Sequence, residues 1–274
     1  MRGSFKMEQC RLILKIVMWI LIIGFGCNFV MQTISYSFYK GAKQIKDASY
    51  IPVSISFNKN LTGYGYSLEK ESEQVILFFG GSNDIAYNAV AKYAGSFDCP
   101  FLAADYYGSQ KSKGKMNLAT MKKTAEEMYE WAANRYPGRK IMVMGHSYGV
   151  GMAAYLGSAK KCDALILLAG YRDVSDLYNK IIPIFWGPAK VFISNNMDVK
   201  EYAKHTQCKT YIIGSDSDKT LTAGLQRKLG ECYADAIVRI FEGISHESYL
   251  LNEEVTAYVN GIMDVVCEGS SIKK

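Results

Sequence analysis

The sequence predicts an α/β fold built on a mostly parallel, doubly wound sheet, and three observations predict it. Short apolar runs recur from Val75 onward, with helical stretches between them. Most of these runs are apolar at successive positions instead of alternating, the pattern of strands covered on both faces. Most end at small or acidic residues, as strands do where a parallel sheet presents its carboxyl edge to a site.

The elements follow in order. Ile51 to Phe57 alternates, and Tyr64 to Leu68 comes after the turn residues Asn60 and Gly63; together they read as an initial antiparallel pair. Val75 to Phe79 ends in Gly80-Gly81, Phe101 to Ala104 at Asp105, and Ile141 to Met144 at Gly145. Ala164 to Leu168 ends at Ala169-Gly170, Tyr211 to Ile213 at Gly214, and Ala236 to Phe241 at Glu242-Gly243. Leu118 to Arg135 carries apolar residues at helical spacing and stops before Pro137. Helices are also expected over Tyr148 to Lys160 and Glu247 to Cys267, and no internal repeat or low-complexity segment is present.

The N-terminal segment has a different character. From Leu12 to Met31 the chain is mostly apolar, with Lys15 and Asn28 as its strongly polar interruptions. About 20 such residues span a bilayer. Arg2, Lys6 and Arg11 precede the run, and Lys40, Lys43 and Lys46 follow farther off, so the positive-inside rule favours a cytoplasmic N-terminus. An uncleaved anchor is the favoured reading. A cleaved signal peptide is its rival, on the small-x-small Gly24-Phe25-Gly26. Cys27 follows as in a lipoprotein, although Leu is missing three residues upstream of it. A buried helix of the domain is the third reading. Under either of the first two the folded domain faces outward. Residues 1–48 are accordingly read as tail, anchor (about 12–31) and linker, and 49–274 as one domain, within the size one core can support.

Composition excludes little else. Hydrophobic residues make up 49% and charged residues 21% of the 274, which rules out global disorder. The net charge of +6 is spread along the chain. It carries no zinc-finger spacing and no aromatic-basic motif, so nucleic acid is not an expected partner; attraction to an anionic membrane surface is the milder implication. The seven cysteines (Cys10, Cys27, Cys99, Cys162, Cys208, Cys232, Cys267) form no C-x-x-C pair, against zinc or thioredoxin-like chemistry. They read as free thiols, or as including one disulfide if the domain lies outside the cytoplasm.

The chemistry centres on Gly145-His146-Ser147-Tyr148-Gly149, a G-x-S-x-G placed directly after a strand and before a helix. In that context the turn is tight, the flanking positions tolerate only glycine, and the serine oxygen is held up at the sheet edge. A serine hydroxyl needs a base, usually histidine. Of the three histidines, His146 adjoins the serine and its side chain should point away from it. His205 lies in a polar stretch with no strand ending at it. His246 follows the last strand and precedes the final helix, at the right end of the sheet. A carboxylate should fall between serine and histidine in the chain, to orient the imidazole. Asp216 and Asp218 both follow the strand ending at Gly214, and spacing favours neither. An oxyanion needs backbone donors: the N–H of Tyr148, and a second from the loop Gly80-Gly81-Ser82-Asn83.

With these residues placed, the chain resembles α/β-hydrolases of the Bem46-like group, which overlaps the serine aminopeptidase-like hydrolases. The resemblance runs from about Ser49 to the C-terminus. Ile76 to Ser82 stands where such proteins carry an apolar strand, His-Gly and a short residue, with Gly80 in place of that His. Asp105-Tyr106-Tyr107-Gly108-Ser109-Gln110-Lys111-Ser112-Lys113-Gly114 is similar to the family's Asp-Tyr-Arg-Gly-x-Gly-x-Ser-x-Gly stretch, with Tyr107 at the Arg. The resemblance implies an α/β-hydrolase fold with a short lid at about 171–208, and a second oxyanion donor at Ser82. In such proteins an apolar residue follows the acid by two or three positions. Asp218, with Leu221 three on, fits that pattern better than Asp216. Many members also carry an N-terminal membrane segment.

The activity expected is that of a membrane-anchored serine hydrolase cleaving an ester or thioester of a small-molecule or lipid-like acyl substrate, with Ser147, Asp218 and His246 as catalytic residues. No metal or organic cofactor is implied, since such a triad supplies nucleophile, base and electrostatics. A serine aminopeptidase and a non-catalytic hydrolase-fold binding protein are the alternatives. The lid carries Tyr178, Ile181, Ile182, Ile184, Phe185, Trp186 and Phe192. These suit either a helix pair packed over the sheet or an apolar acyl-binding wall.

Overall fold

The computed structural model describes residues 2–82 and 84–271. Eight strands form one open sheet: β1 (Val53–Ser56), β2 (Thr62–Tyr66), β3 (Gln74–Phe79), β4 (Phe101–Ala104), β5 (Lys140–His146), β6 (Ala164–Leu168), β7 (Lys209–Ser215) and β8 (Ala236–Phe241). Their spatial order is β1-β2-β4-β3-β5-β6-β7-β8. The pairs β1–β2 and β2–β4 are antiparallel, and every other pair is parallel. The mostly parallel sheet read from the apolar runs is therefore the sheet observed.

Burial explains the runs. Every residue of β3 and of β6 is buried, because helices cover both faces. The last strand differs: β8 lies at the sheet edge and turns Ile237 and Arg239 outward. Helices α2 (Ala86–Tyr93), α3 (Leu118–Arg135), α4 (Val150–Ala159), α7 (Ala223–Gly230) and α8 (Glu253–Ser271) connect or follow the strands. The N-terminus of α3 is fixed by reciprocal bonds between Asn117 and Thr120, each side chain serving the other's backbone N–H. The final helix starts later than its apolar spacing suggests. A 3₁₀ turn at Tyr249–Leu251 comes first, and Asn252 then accepts from Glu254 N and Val255 N, which sets the start of α8.

Between β6 and β7 lies a structured lid: α5 (Val174–Tyr178), a 3₁₀ turn at Gly187–Phe192 and α6 (Val199–Ala203). Asp173 ties its pieces together. Its carboxylate caps α5 at Ser175 N and takes Lys190 Nζ at 2.7 Å and Lys200 Nζ at 2.9 Å. Burial alone would raise its pKa, but these donors hold it well below the usual carboxylate range.

The helix that opens the chain, α1 (Arg2–Gly41), is long and apolar enough between Met7 and Gly41 to cross a membrane, by length and composition. Leu12 to Ile23 is exposed. Beyond the apolar run, α1 does not end; it continues for ten residues against the domain. Met31, Ser35 and Tyr39, four residues apart on one face, are buried there. Tyr39 donates to Gly80 O at 3.0 Å and packs edge-on against Tyr106. After α1, Asn88 holds the chain through Ile45 N and Lys43 O.

The cysteines are all thiols. Cys162 and Cys208 precede the adjacent strands β6 and β7, and their Sγ atoms lie 2.9 Å apart.

Candidate active site

Strand β3 is the topological switch point of the sheet: β4 lies on one side of it and β5 on the other. Ligands in open α/β sheets bind beyond the carboxyl ends of the strands at such a point. The loop after β3 and the turn after β5 therefore meet there.

Ser147 begins a 3₁₀ turn, Ser147–Gly149, at the end of β5, with φ of 51°. That left-handed conformation is costly for a residue with a Cβ. It is imposed by close packing on either side. A Cβ on Gly145 would meet Ala153 Cβ at 2.7 Å, and one on Gly149 would meet Phe79 O at 2.1 Å. Both flanking glycines are thus required by contact, and the serine is lifted off the strand end.

His246 is delivered from the segment between β8 and α8. Ser147 Oγ lies 2.8 Å from His246 Nε2, and His246 Nδ1 lies 2.8 Å from Asp218 Oδ2. An ionised carboxylate only accepts, so Nδ1 carries the proton and Nε2 is free to accept from the serine hydroxyl. Asp218, in the turn after β7, is almost wholly buried. Its Oδ1 accepts from Thr220 N and Leu221 N, and its Oδ2 also takes the Tyr249 hydroxyl. Burial works to raise its pKa, yet the imidazole and the backbone donors bring it below the ordinary aspartate value. The structure brings Ser147, His246 and Asp218 into one hydrogen-bonded chain.

Asp216 stands outside that chain. It is exposed and accepts from Gly243 N at 2.9 Å, which ties the β7 turn to the segment carrying His246. His205 lies far along the lid at the end of α6, exposed beside Glu201 at 3.6 Å.

The residues expected to supply oxyanion donors also lie near the serine. Tyr148 sits in the first turn after β5, where helical N–H groups have no intrahelical partner. The loop after β3 approaches closely: a Cβ on Gly81 would come within 3.0 Å of Ser147 Cβ, and Ser82 lines the same pocket as Ser147. Asn83, also in the loop expected to supply the second donor, lies outside the described residues.

Two contributors were missed by sequence reasoning. His146 does not bond Ser147. Its Nε2 donates to His246 O at 2.9 Å, fixing the backbone at His246. Burial lowers its pKa, as does the nearby His246, against the opposing pull of Asp84 and Glu247. Tyr249 is the other; the 3₁₀ turn folds it back three residues after His246 onto Asp218. An aromatic residue so near the histidine was the available signal.

The pocket over Ser147 has a volume of about 230 Å³. Lid residues Leu177, Tyr178 and Ile181 form one apolar wall. Met31, Ile34 and Phe38 of α1 form another. Lys180, Thr220 and Glu247 supply its polar margin.

Solved structures share this architecture. Est1E from Butyrivibrio proteoclasticus, with ferulic acid bound, has a TM-score of 0.62 at 15% identity, covering 79% of this chain and 99% of that one. The Pyrococcus furiosus esterase Pf2001 has a TM-score of 0.59 at 14% identity, covering 82% and 95%. Alpha/beta hydrolase domain-containing protein 10 from mouse has a TM-score of 0.53 at 15% identity, covering 80% and 98%. No family model and no curated protein sequence matches the chain. At these identities the likeness establishes the fold, and the fold is that of the α/β-hydrolases.

Proposed function

We propose that this chain is a membrane-anchored serine hydrolase that cleaves carboxylic esters or thioesters. The observation that carries the reading is the chain Ser147 Oγ, His246 Nε2, His246 Nδ1, Asp218 Oδ2, with both links at 2.8 Å. His246 takes the serine proton as Oγ attacks the acyl carbonyl. Asp218 stabilises the imidazolium that forms. The N–H groups of Tyr148 and Ser82 receive the developing oxyanion. His246 then gives its proton to the leaving oxygen or sulfur. In the second half, water loses a proton to His246 and attacks the acyl-Ser147 carbonyl; the C–Oγ bond then breaks, His246 returns the proton to Ser147 Oγ, and the acid is released. The esterase Pf2001 among the structural neighbours and the apolar lining of the pocket support an acyl substrate. In this reading residues of about 12–31 anchor the chain, and the domain from residue 49 onward faces outward.

A fluorophosphonate probe tests the reading directly. It should label the parent protein at Ser147 and leave Ser147→Ala unlabelled. Absence of labelling in folded parent protein, together with no turnover of short esters, would reject it. Orientation is tested by protease added to intact cells: digestion of the domain is expected, and full protection would reverse the topology.

A further inference from the structure

Helix α1 does more than tether the domain. It walls the pocket with Met31, Ile34 and Phe38, and it braces the loop after β3 through the Tyr39 hydroxyl on Gly80 O. The same helix is fastened to the lid lower down. A Cβ on Gly24 would lie 2.5 Å from the Phe192 ring, so only glycine lets that ring seat on the helix. Phe25 meets Phe192 edge-on at 5.3 Å, and Asn28 Nδ2 donates to Ser194 Oγ at 2.8 Å. Gln32 Nε2 reaches Ser194 O at 2.5 Å.

These contacts set the depth of the site. A bilayer core about 30 Å thick takes about 20 helical residues. If that span starts at Leu12 it ends at Met31, so Gly24, Phe25 and Asn28 lie within the outer leaflet. The lid residues packed on them lie at the same level. Trp186 and Val191 of that lid edge are 60% and 74% exposed, large apolar surfaces with no protein cover. The pocket wall then rises from Met31 to Phe38, about 10 Å along the helix axis. That rise crosses the polar headgroup layer, which adds about 5–8 Å on each side of the core. Ser147, which lines the same pocket, would then open toward the headgroup layer, where the ester linkages of a membrane lipid lie. A pocket of about 230 Å³ is also smaller than the roughly 300–1,000 Å³ that encloses a drug-sized ligand, so a long acyl chain must leave it. Its apolar walls are Met31 and Ile34 on α1 and Leu177 and Ile181 on the lid, one to two turns above the contacts that close α1 on Phe192 and Ser194.

We infer that the substrate is an amphiphilic acyl ester resident in the bilayer, which enters from the leaflet side with its acyl chain still in the leaflet. This rests on the serine hydrolase reading and adds the substrate class and route of entry. The polar remainder of the lipid would meet Lys180, Thr220 and Glu247 at the pocket margin.

The test uses the full-length protein reconstituted in phosphatidylcholine vesicles. Two substrates are compared: a water-soluble butyrate ester, and a long-chain monoacylglycerol ester dissolved in the same vesicles. Trp186→Glu with Val191→Glu changes the lid edge without touching the pocket. Turnover of the vesicle ester should fall about tenfold, since charge is unfavourable in the leaflet, while the soluble ester is hydrolysed as before. A second variant, Ile34→Trp, narrows the α1 wall and should lower kcat/KM for the long-chain ester more than for butyrate. Hydrolysis of butyrate with no hydrolysis of the vesicle ester would overturn the inference and leave the hydrolase reading standing. So would an equal loss on both substrates in the lid-edge variant. Failure on both substrates in the parent would remove the hydrolase reading itself.

Discussion

The Tyr249 hydroxyl and His246 Nδ1 share one oxygen: Asp218 Oδ2 accepts from the tyrosine at 3.1 Å and from the imidazole at 2.8 Å. The other oxygen is held by two backbone N–H groups. Tyr249 is therefore one donor among four, and the carboxylate keeps its orientation without it. Tyr249→Phe should cost about 1 kcal/mol of stability, with ester turnover within about fivefold of the parent. A hundredfold loss in turnover would assign the orientation of Asp218 to the tyrosine.

Ser147 pays for its position in backbone strain. Ser147→Ala should lower ester hydrolysis by about 10⁴ or more and leave thermal stability close to that of the parent. Ser147→Gly should be equally inactive and more stable by about 1 kcal/mol, because glycine adopts positive φ without penalty. Calorimetry on the three proteins checks the order; a glycine variant less stable than the alanine one would contradict the strain argument.

The two aspartates of the β7 turn predict unequal losses. Asp218→Asn keeps the shape but removes the charge that pairs with the imidazolium, and turnover should drop by ~10³–10⁴. Asp216, exposed in the turn, accepts from Gly243 N and Ser217 Oγ, and Asp216→Asn should cost about tenfold or less, as for a group outside the Ser147–His246–Asp218 chain. The reverse pattern would move the role to Asp216.

Buried His146 gives the fold an acid-sensitive component. Its folded pKa is lowered by burial, so the unfolded chain binds the proton first as pH falls. Stability from this group is complete above the ordinary histidine value of about 6.5 and declines below it. Asp105 acts in the opposite sense: burial raises its pKa to about 6, so the folded state takes its proton earlier. His146→Gln retains an amide donor for His246 O and removes the titration. Its denaturation midpoint, followed by circular dichroism from pH 7 down to pH 5, should fall less steeply than the parent's. Parallel slopes would show that His146 does not contribute.

Cys162 and Cys208 are close enough to oxidise. Diamide would accept the two electrons and two protons lost as the Sγ–Sγ bond forms. The product should gain about 2–4 kcal/mol in stability from closure of the intervening loop. Non-reducing peptide mapping should find the cross-link, and Cys208→Ser should abolish both it and the stabilisation. Oxidised protein with no such peptide would exclude the pair.

The sheet was legible because burial on both faces writes itself as uninterrupted apolar residues, as in Val75 to Phe79. Edge strand β8 carries Arg239 and Ile237 outward, so its run alone conceals its place in the order. Ser147 and His246 stand out because each follows a strand at the edge where parallel sheets build sites. Asp216 and Asp218 could not be separated by spacing, since one residue of turn geometry decides which carboxylate faces inward. The late turns of α1 were the least legible. Met31, Ser35 and Tyr39 look like the tail of an apolar span, and nothing local in the sequence reveals that all three are buried or that Tyr39 packs against Gly80, Tyr106 and Tyr148 far along the chain.

That packing has a mechanical consequence. α1 is one helix of 40 residues, a rod about 60 Å long, with one end in the apolar run and the other against the pocket. A rod whose apolar length does not match the membrane around it answers by tilting. In the membrane-anchored reading the tilt would turn Met31, Ile34 and Phe38 with it, making membrane thickness a lever on the width of the site.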